Sequence, residues 1–166
     1  MVTIQSGVVT AEQAIFELTL RNAEQSDRTF DDVVVEGLLS GLPAELLTRL
    51  EALWAETRVI AGEIVAIGKI VIDEIFAFFR SNPGLTIGVA LGAAVGLLIS
   101  AVPFIGPLLA PIAMVVAPLY GAGVGATAQR GAVSDSPLVG AMELARKFFE
   151  LFVGILNAVS KYWAAR

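Results

Sequence analysis

The chain predicts an all-α protein: a two-span transmembrane helical hairpin flanked by a long cytoplasmic amphipathic helix and a C-terminal amphipathic helix. Three observations carry that expectation. From Ser81 to Gln129 there are forty-nine residues without one Asp, Glu, Lys or Arg, and an apolar run much longer than about 18 residues reads as membrane-spanning. Within it Gly84, Gly88, Gly92 and Gly96 recur every four residues, which on a helix makes a side-chain-free stripe suited to close packing in lipid. On both sides of this block the charges return and apolar residues recur at helical spacing.

Composition narrows the function classes. Apolar residues make up 56% and the mean hydropathy is +0.77. Charged residues are 16%, against about 25% in an ordinary globular chain, and the deficit sits in the central block. Residues 1–80 carry thirteen acids against six bases, whereas residues 130–166 carry three acids against five bases. An acidic N-terminal part argues against nucleic-acid binding, which needs a basic stripe; the basic C-terminal part suits anionic lipid headgroups. There is no cysteine and no histidine, which removes disulfides, thiolate nucleophiles, imidazole bases and the usual zinc ligands. Met1 to Gly7 shows no basic stretch followed by an apolar one, so insertion is expected to be directed by the internal block.

The N-terminal cytoplasmic segment, 1–42, reads as short helices. Thr10-Ala-Glu-Gln13 has the form of a capping box, starting a helix from Ala11 to about Asn22. Ile15 to Leu20 and Val33 to Val35 alternate or cluster in a strand-like way as well. From 43 to 80 the pattern is a long amphipathic, coiled-coil-like helix opened by Pro43. Leu46, Leu50, Leu53, Thr57, Ile60, Ile64, Ile67, Val71, Ile75 and Phe78 follow at three- and four-residue steps. Such a seam, about 57 Å if unbroken, packs either on its own neighbours or on a second copy. Gly62 and Gly68 weaken it by about 1 kcal/mol each relative to alanine.

Asn82-Pro83 stops that helix, and the hairpin occupies 83–128. Its first span ends near Val102, Pro103 to Pro107 make the turn, and Pro111 and Pro118 kink the second span. Ala113, Ala117, Gly121 and Gly125 form a second small-residue row, so the helix-packing residues expected are these four with the four glycines of the first row. Ser136-Pro137 opens the last helix, 137–165, whose wide apolar face suits either the membrane interface or a partner. Arg80 precedes the hairpin, Arg130 follows it, and its turn has no Lys or Arg. The positive-inside rule then places both termini in the cytoplasm. Arg80, Arg130, Lys147, Lys161, Tyr162 and Trp163 are the expected membrane-interface residues.

No catalytic, cofactor-binding or metal site is legible. Gly121 to Gly125 lacks the spacing of a dinucleotide loop and follows no strand; Gly62 to Lys69 is one residue too long for a phosphate loop; Gly37 to Gly41 is no nucleophile elbow. Asp73-Glu74 could collect a cation, but reads more simply as a solvated patch beside Lys69 and Arg80. A pore through the hairpin would use backbone carbonyls, Thr86, Ser100, Tyr120 and Thr127, or a hydrophobic gate, since no Asp, Glu, Lys or Arg lies in the spans.

The stretch Phe79-Arg-Ser-Asn-Pro-Gly-Leu-Thr-Ile-Gly-Val-Ala-Leu-Gly-Ala-Ala-Val-Gly-Leu-Leu98 resembles the membrane end of ElaB/YqjD-type bacterial glycine-zipper membrane-anchor proteins. The likeness covers about residues 43–98 and implies a bacterial inner-membrane anchor presenting a cytoplasmic helix. It carries no catalytic residue across, and the second span and C-terminal helix depart from that family's pattern. The uncharged hairpin between amphipathic helices is also similar in plan to colicin pore-forming domains. The function expected is a non-enzymatic integral membrane protein without cofactors. It would self-associate as a homo-oligomer through glycine-zipper helices and scaffold, shape or organise a membrane assembly. The alternative is an oligomeric pore or a colicin-like inserting protein. Its partners would be other copies of the chain and membrane lipids.

Overall fold

A computed structural model describes residues 9–116 and 137–165. Among the described residues it is mostly helical, with eight α-helices and three short strands. Helix α1 (Ala11–Glu24) begins at the capping box expected from its sequence. The Gln13 amide donates to Thr10 Oγ1 at 3.2 Å and the Thr10 amide to Gln13 Oε1 at 3.0 Å. Thr29 and Asp32 repeat the device at the start of α2 (Phe30–Leu39). Each such cap satisfies two amides that the first helical turn leaves free. Residues 1–42, where described, are therefore helical, and the strand-like runs at Ile15 and Val33 are helix faces.

The 43–80 stretch is not one helix. It divides into α3 (Ala44–Trp54) and α4 (Ile67–Ser81), separated by a hairpin of β1 (Arg58–Ile60) and β2 (Glu63–Val65). The register pairs Ile60 with Glu63, leaving Ala61-Gly62 as a two-residue turn with φ of 53° and 85°. Both values lie where a right-handed helix cannot continue, and together they match the turn that suits the twist of paired strands. The long coiled-coil seam is thus corrected. Leu46, Leu50, Leu53, Ile67, Val71, Ile75 and Phe78 are buried in the fold's own core, whereas Ile64 points out at 56% exposure. Ala61 holds a left-handed conformation that costs an L-residue about 1 kcal/mol. Ala61→Asn, which creates the preferred Asn-Gly turn, is expected to raise stability by about 0.5–1 kcal/mol in urea titration.

The last helix is also shorter than 137–165. Helix α7 (Pro137–Phe148) bends at Phe149 into α8 (Glu150–Ala158). The Phe149 amide donates to Ala145 O and the Val153 amide to Phe149 O, both at 2.8 Å, while Phe149 itself leaves the helical conformation with φ of -90° and ψ of 4°. After a 3-10 turn at Ser160–Tyr162, β3 (Trp163–Ala165) pairs with the free edge of β1, giving the strand order β2-β1-β3. That edge offers the chain end a ladder of partners a helix cannot reach.

Helices α4, α6 (Gly106–Val116) and α7 surround α5 (Ile87–Ala101); α3 lies across α4 and α6, and α1 packs on α8 and α4. One continuous apolar core joins all of them. Phe78 of α4 meets Phe148 and Phe149, each at 5.4 Å between ring centres, so an aromatic cluster ties α4 to the α7–α8 bend.

Candidate functional site

Helix α5 holds no charged residue. Ala90, Leu91, Ala93, Ala94, Val95, Leu97 and Leu98 are buried. Thr86 caps it, accepting from the Val89 amide at 3.4 Å. Helix α4 ends at Ser81, just before Asn82-Pro83; the residue preceding a proline is pushed out of the helical region. After Ala101 the chain turns through a 3-10 turn, Pro103–Ile105, and enters α6, which contains Pro111. The two arms are bent by 118°. The turn is pinned from outside: the Asn157 amide Nδ2 donates to Ala101 O at 3.1 Å, and Phe104 packs edge-on against Trp163 at 4.9 Å.

Among the described residues no single helix is long and apolar enough to cross a membrane; the α5–α6 pair passes that test only jointly, as a bent pair. Fifteen residues of α5 span about 22 Å, against roughly 30 Å of hydrocarbon.

The glycine row is divided by the fold. Gly84 lies in the turn before α5 and is exposed; Gly88 and Gly92 are half-buried and Gly96 is exposed. A Cβ built on Gly92 or Gly96 would meet nothing within 4 Å among the described residues. Gly92 and Gly96 are thus open among the described residues, on a helix whose other positions are largely buried. Ala113 is half-buried on α6. Ala117, Gly121, Gly125 and Arg130 lie outside the described residues, as does the second arm of the hairpin beyond Val116.

Close backbone packing is seen at a glycine outside that row. At Gly68, in the first turn of α4, a Cβ would overlap the carbonyl of Leu53 at the end of α3, and its amide donates to Glu56 O at 3.1 Å. Spacing marked Gly68 only as a helix weakness; close backbone approach is what requires it.

Charges gather outside the hairpin. Arg21 pairs with Glu74, and Arg28 bridges Asp73 at 2.5 Å and Glu36 at 3.7 Å, while Arg80 pairs with Glu36. Asp73 and Glu74 are thus half-buried and paired with Arg28 and Arg21, which corrects the solvated patch expected beside Lys69 and Arg80. Arg80, expected at the membrane interface, ties the end of α4 to α2. Lys147, Lys161 and Tyr162 are exposed, and the Lys161 ammonium lies 5.8 Å from the Tyr162 ring centre. Trp163 is half-buried between Phe104 and the Arg58 guanidinium, 5.9 Å from its ring centre.

A cleft of about 510 Å³ opens where the end of α5 meets α7 and α8, lined among others by Leu97, Ala101, Arg146, Glu150, Val153 and Asn157. Arg146 is held by Glu143 at 2.7 Å. Glu150 is the other ionisable residue lining it among the described residues. Among the described residues no three carboxylates converge as metal ligands. No protein-family model, curated protein or solved structure matches this chain.

Proposed function

We propose that this chain is a non-enzymatic membrane protein whose α5–α6 hairpin enters the bilayer. Its copies pack through the glycine face of α5 to organise or shape a membrane assembly. The observation that carries this reading is the open space over Gly92 and Gly96. Each glycine in a helix costs about 1 kcal/mol relative to alanine, and Gly92 and Gly96 offset nothing within 4 Å among the described residues. Smooth faces of this kind let helix backbones approach in lipid, where packing drives association. To span the hydrocarbon, α5 would lengthen into the uncharged residues 83–86 before it. The flanking arginines, Arg80 and Arg130, orient both termini to the cytoplasm, and a bacterial inner membrane fits the likeness of residues 43–98.

A second reading has its own observation. The apolar face of α5 opposite the glycines is covered by α4 and α7, and α3 lies over α6. A hairpin sheathed in this way suits a colicin-like protein that keeps its apolar arms packed and inserts on meeting a membrane, forming a pore.

Alkaline carbonate extraction of the expressed chain, followed by sizing in detergent, separates the two. Retention in the pellet with a discrete oligomer supports the assembly; release as a soluble monomer sinks it and leaves the sheathed form. Gly92→Leu with Gly96→Leu is expected to keep the fold and membrane retention while shifting the oligomer to monomer. Unchanged assembly in that variant removes the glycine face as the packing surface.

A further inference from the structure

We propose that Trp163 is a membrane-sensing latch on the turn of the α5–α6 hairpin, holding the turn in water and leaving it for the interface of an anionic bilayer. The proposal rests on the sheathed, inserting reading above and names what releases the hairpin.

The C-terminal segment grips the turn at two points. The Trp163 ring packs edge-on against Phe104, in the 3-10 turn between the two apolar arms, with centres 4.9 Å apart. The Arg58 guanidinium of β1 lies 5.9 Å from the centre of the same indole, and backbone pairing sets Trp163 opposite Ile60. Just before the turn, Asn157 Nδ2 donates to Ala101 O at 3.1 Å. The grip on Phe104 is slight. Strand β3 has three residues, and aromatic and cation–π pairs at half-buried sites are individually modest. A modest grip is what an exchangeable contact requires, because a competing surface must exceed it.

The residues just before Trp163 point to that surface. Lys161 and Tyr162 are exposed, with the Lys161 ammonium 5.8 Å from the Tyr162 ring centre. Tyrosine and tryptophan rings favour the headgroup level of a bilayer, and a lysine beside them is drawn to anionic lipid. Tyr162 can meet such a surface while the latch is closed, whereas Trp163 can bury its ring there only after leaving Phe104. An equilibrium moves by the difference in affinity for its two states, so an anionic bilayer favours the open one. Of these contacts the open turn keeps that of Asn157 alone.

The test uses the full chain purified in water and mixed with phosphatidylglycerol vesicles, with insertion read as the fraction that resists carbonate extraction. Val59 and Ala164 are directly opposed on β1 and β3, a separation a disulfide can bridge, and the chain has no cysteine of its own. Val59→Cys with Ala164→Cys, once oxidised, should insert about tenfold more slowly or less, and reductant should restore the rate. Phe104→Ala should speed insertion about fivefold. Lys161→Glu should slow it about threefold on phosphatidylglycerol and leave it unchanged on phosphatidylcholine. Circular dichroism and Tm serve as the folding control. Trp54→Phe leaves Trp163 as the sole tryptophan; in that background brominated lipid should quench it in the reduced chain and not in the oxidised one. Equal insertion of oxidised and reduced chains, or insertion without Trp163 quenching, overturns the latch. Quenching that oxidation abolishes, with no carbonate-resistant fraction in any variant, supports the latch and removes the inserting reading. Absence of both quenching and insertion, or a chain that only detergent extracts, overturns the latch and the sheathed reading together.

Discussion

Gly68→Ala is expected to destabilise the fold by about 3 kcal/mol or more, lowering Tm by roughly 10 °C. In an open helix the same change stabilises by up to about 1 kcal/mol, so the sign itself is diagnostic. The reason is the Leu53 carbonyl, which a new Cβ would overlap. A side chain could rotate away; a backbone carbonyl moves only if α3 and α4 separate. Separation would also break the hydrogen bond from the Gly68 amide to Glu56 O. Gly140→Ala is the comparison, because a Cβ there meets nothing within 4 Å among the described residues. Urea titration of both variants should move in opposite directions. A neutral Gly68→Ala would mean that α3 and α4 do not approach as described.

Phe78→Ala should cost about 3–5 kcal/mol. Phe78 is fully buried, and its ring contacts two others that themselves meet edge-on at 5.0 Å. Removing it leaves a cavity and two aromatic contacts unmade. The effect reaches the hairpin, because this cluster joins α4 to α7 across α5. The variant should therefore bind the dye ANS and associate with vesicles faster than wild type. A loss below about 1 kcal/mol would show that other contacts hold α4 and α7 together.

Much of the helical plan was legible because local chemistry encodes it. Thr10 with Gln13 announces the start of α1, Asn82-Pro83 the end of α4, and Pro137 the start of α7. The break inside 43–80 was hidden by coincidence of spacing. Ile60, Ile64 and Ile67 keep helical steps, three-residue strands are too short to show their own period, and Ala61 is a poor marker for a left-handed turn. Trp163-Ala-Ala165 carries no strand signature at all; its pairing depends on an edge more than a hundred residues earlier. The site was half legible. Charge-free composition marks the hairpin, but four-residue spacing alone cannot say which way a glycine row faces. Nor could it show that Gly68, where a Cβ would meet backbone, lies outside that row. The ion pairs of Asp73 and Glu74 bring together segments more than forty residues apart, beyond what any local pattern specifies.

The pairing of β3 with β1 makes a clasp. It joins Arg58 to Ala165 and Ile60 to Trp163, so everything from β2 to α8, the hairpin included, lies within one closed loop whose ends stay about 5 Å apart. Long-range closure of this kind is slow to form, because its entropy must be met before the contacts that reward it. While the clasp holds, the apolar arms can leave the helical body only by bulging out of a tethered loop. Unzipping β3 from β1 would turn that closed loop into an open chain.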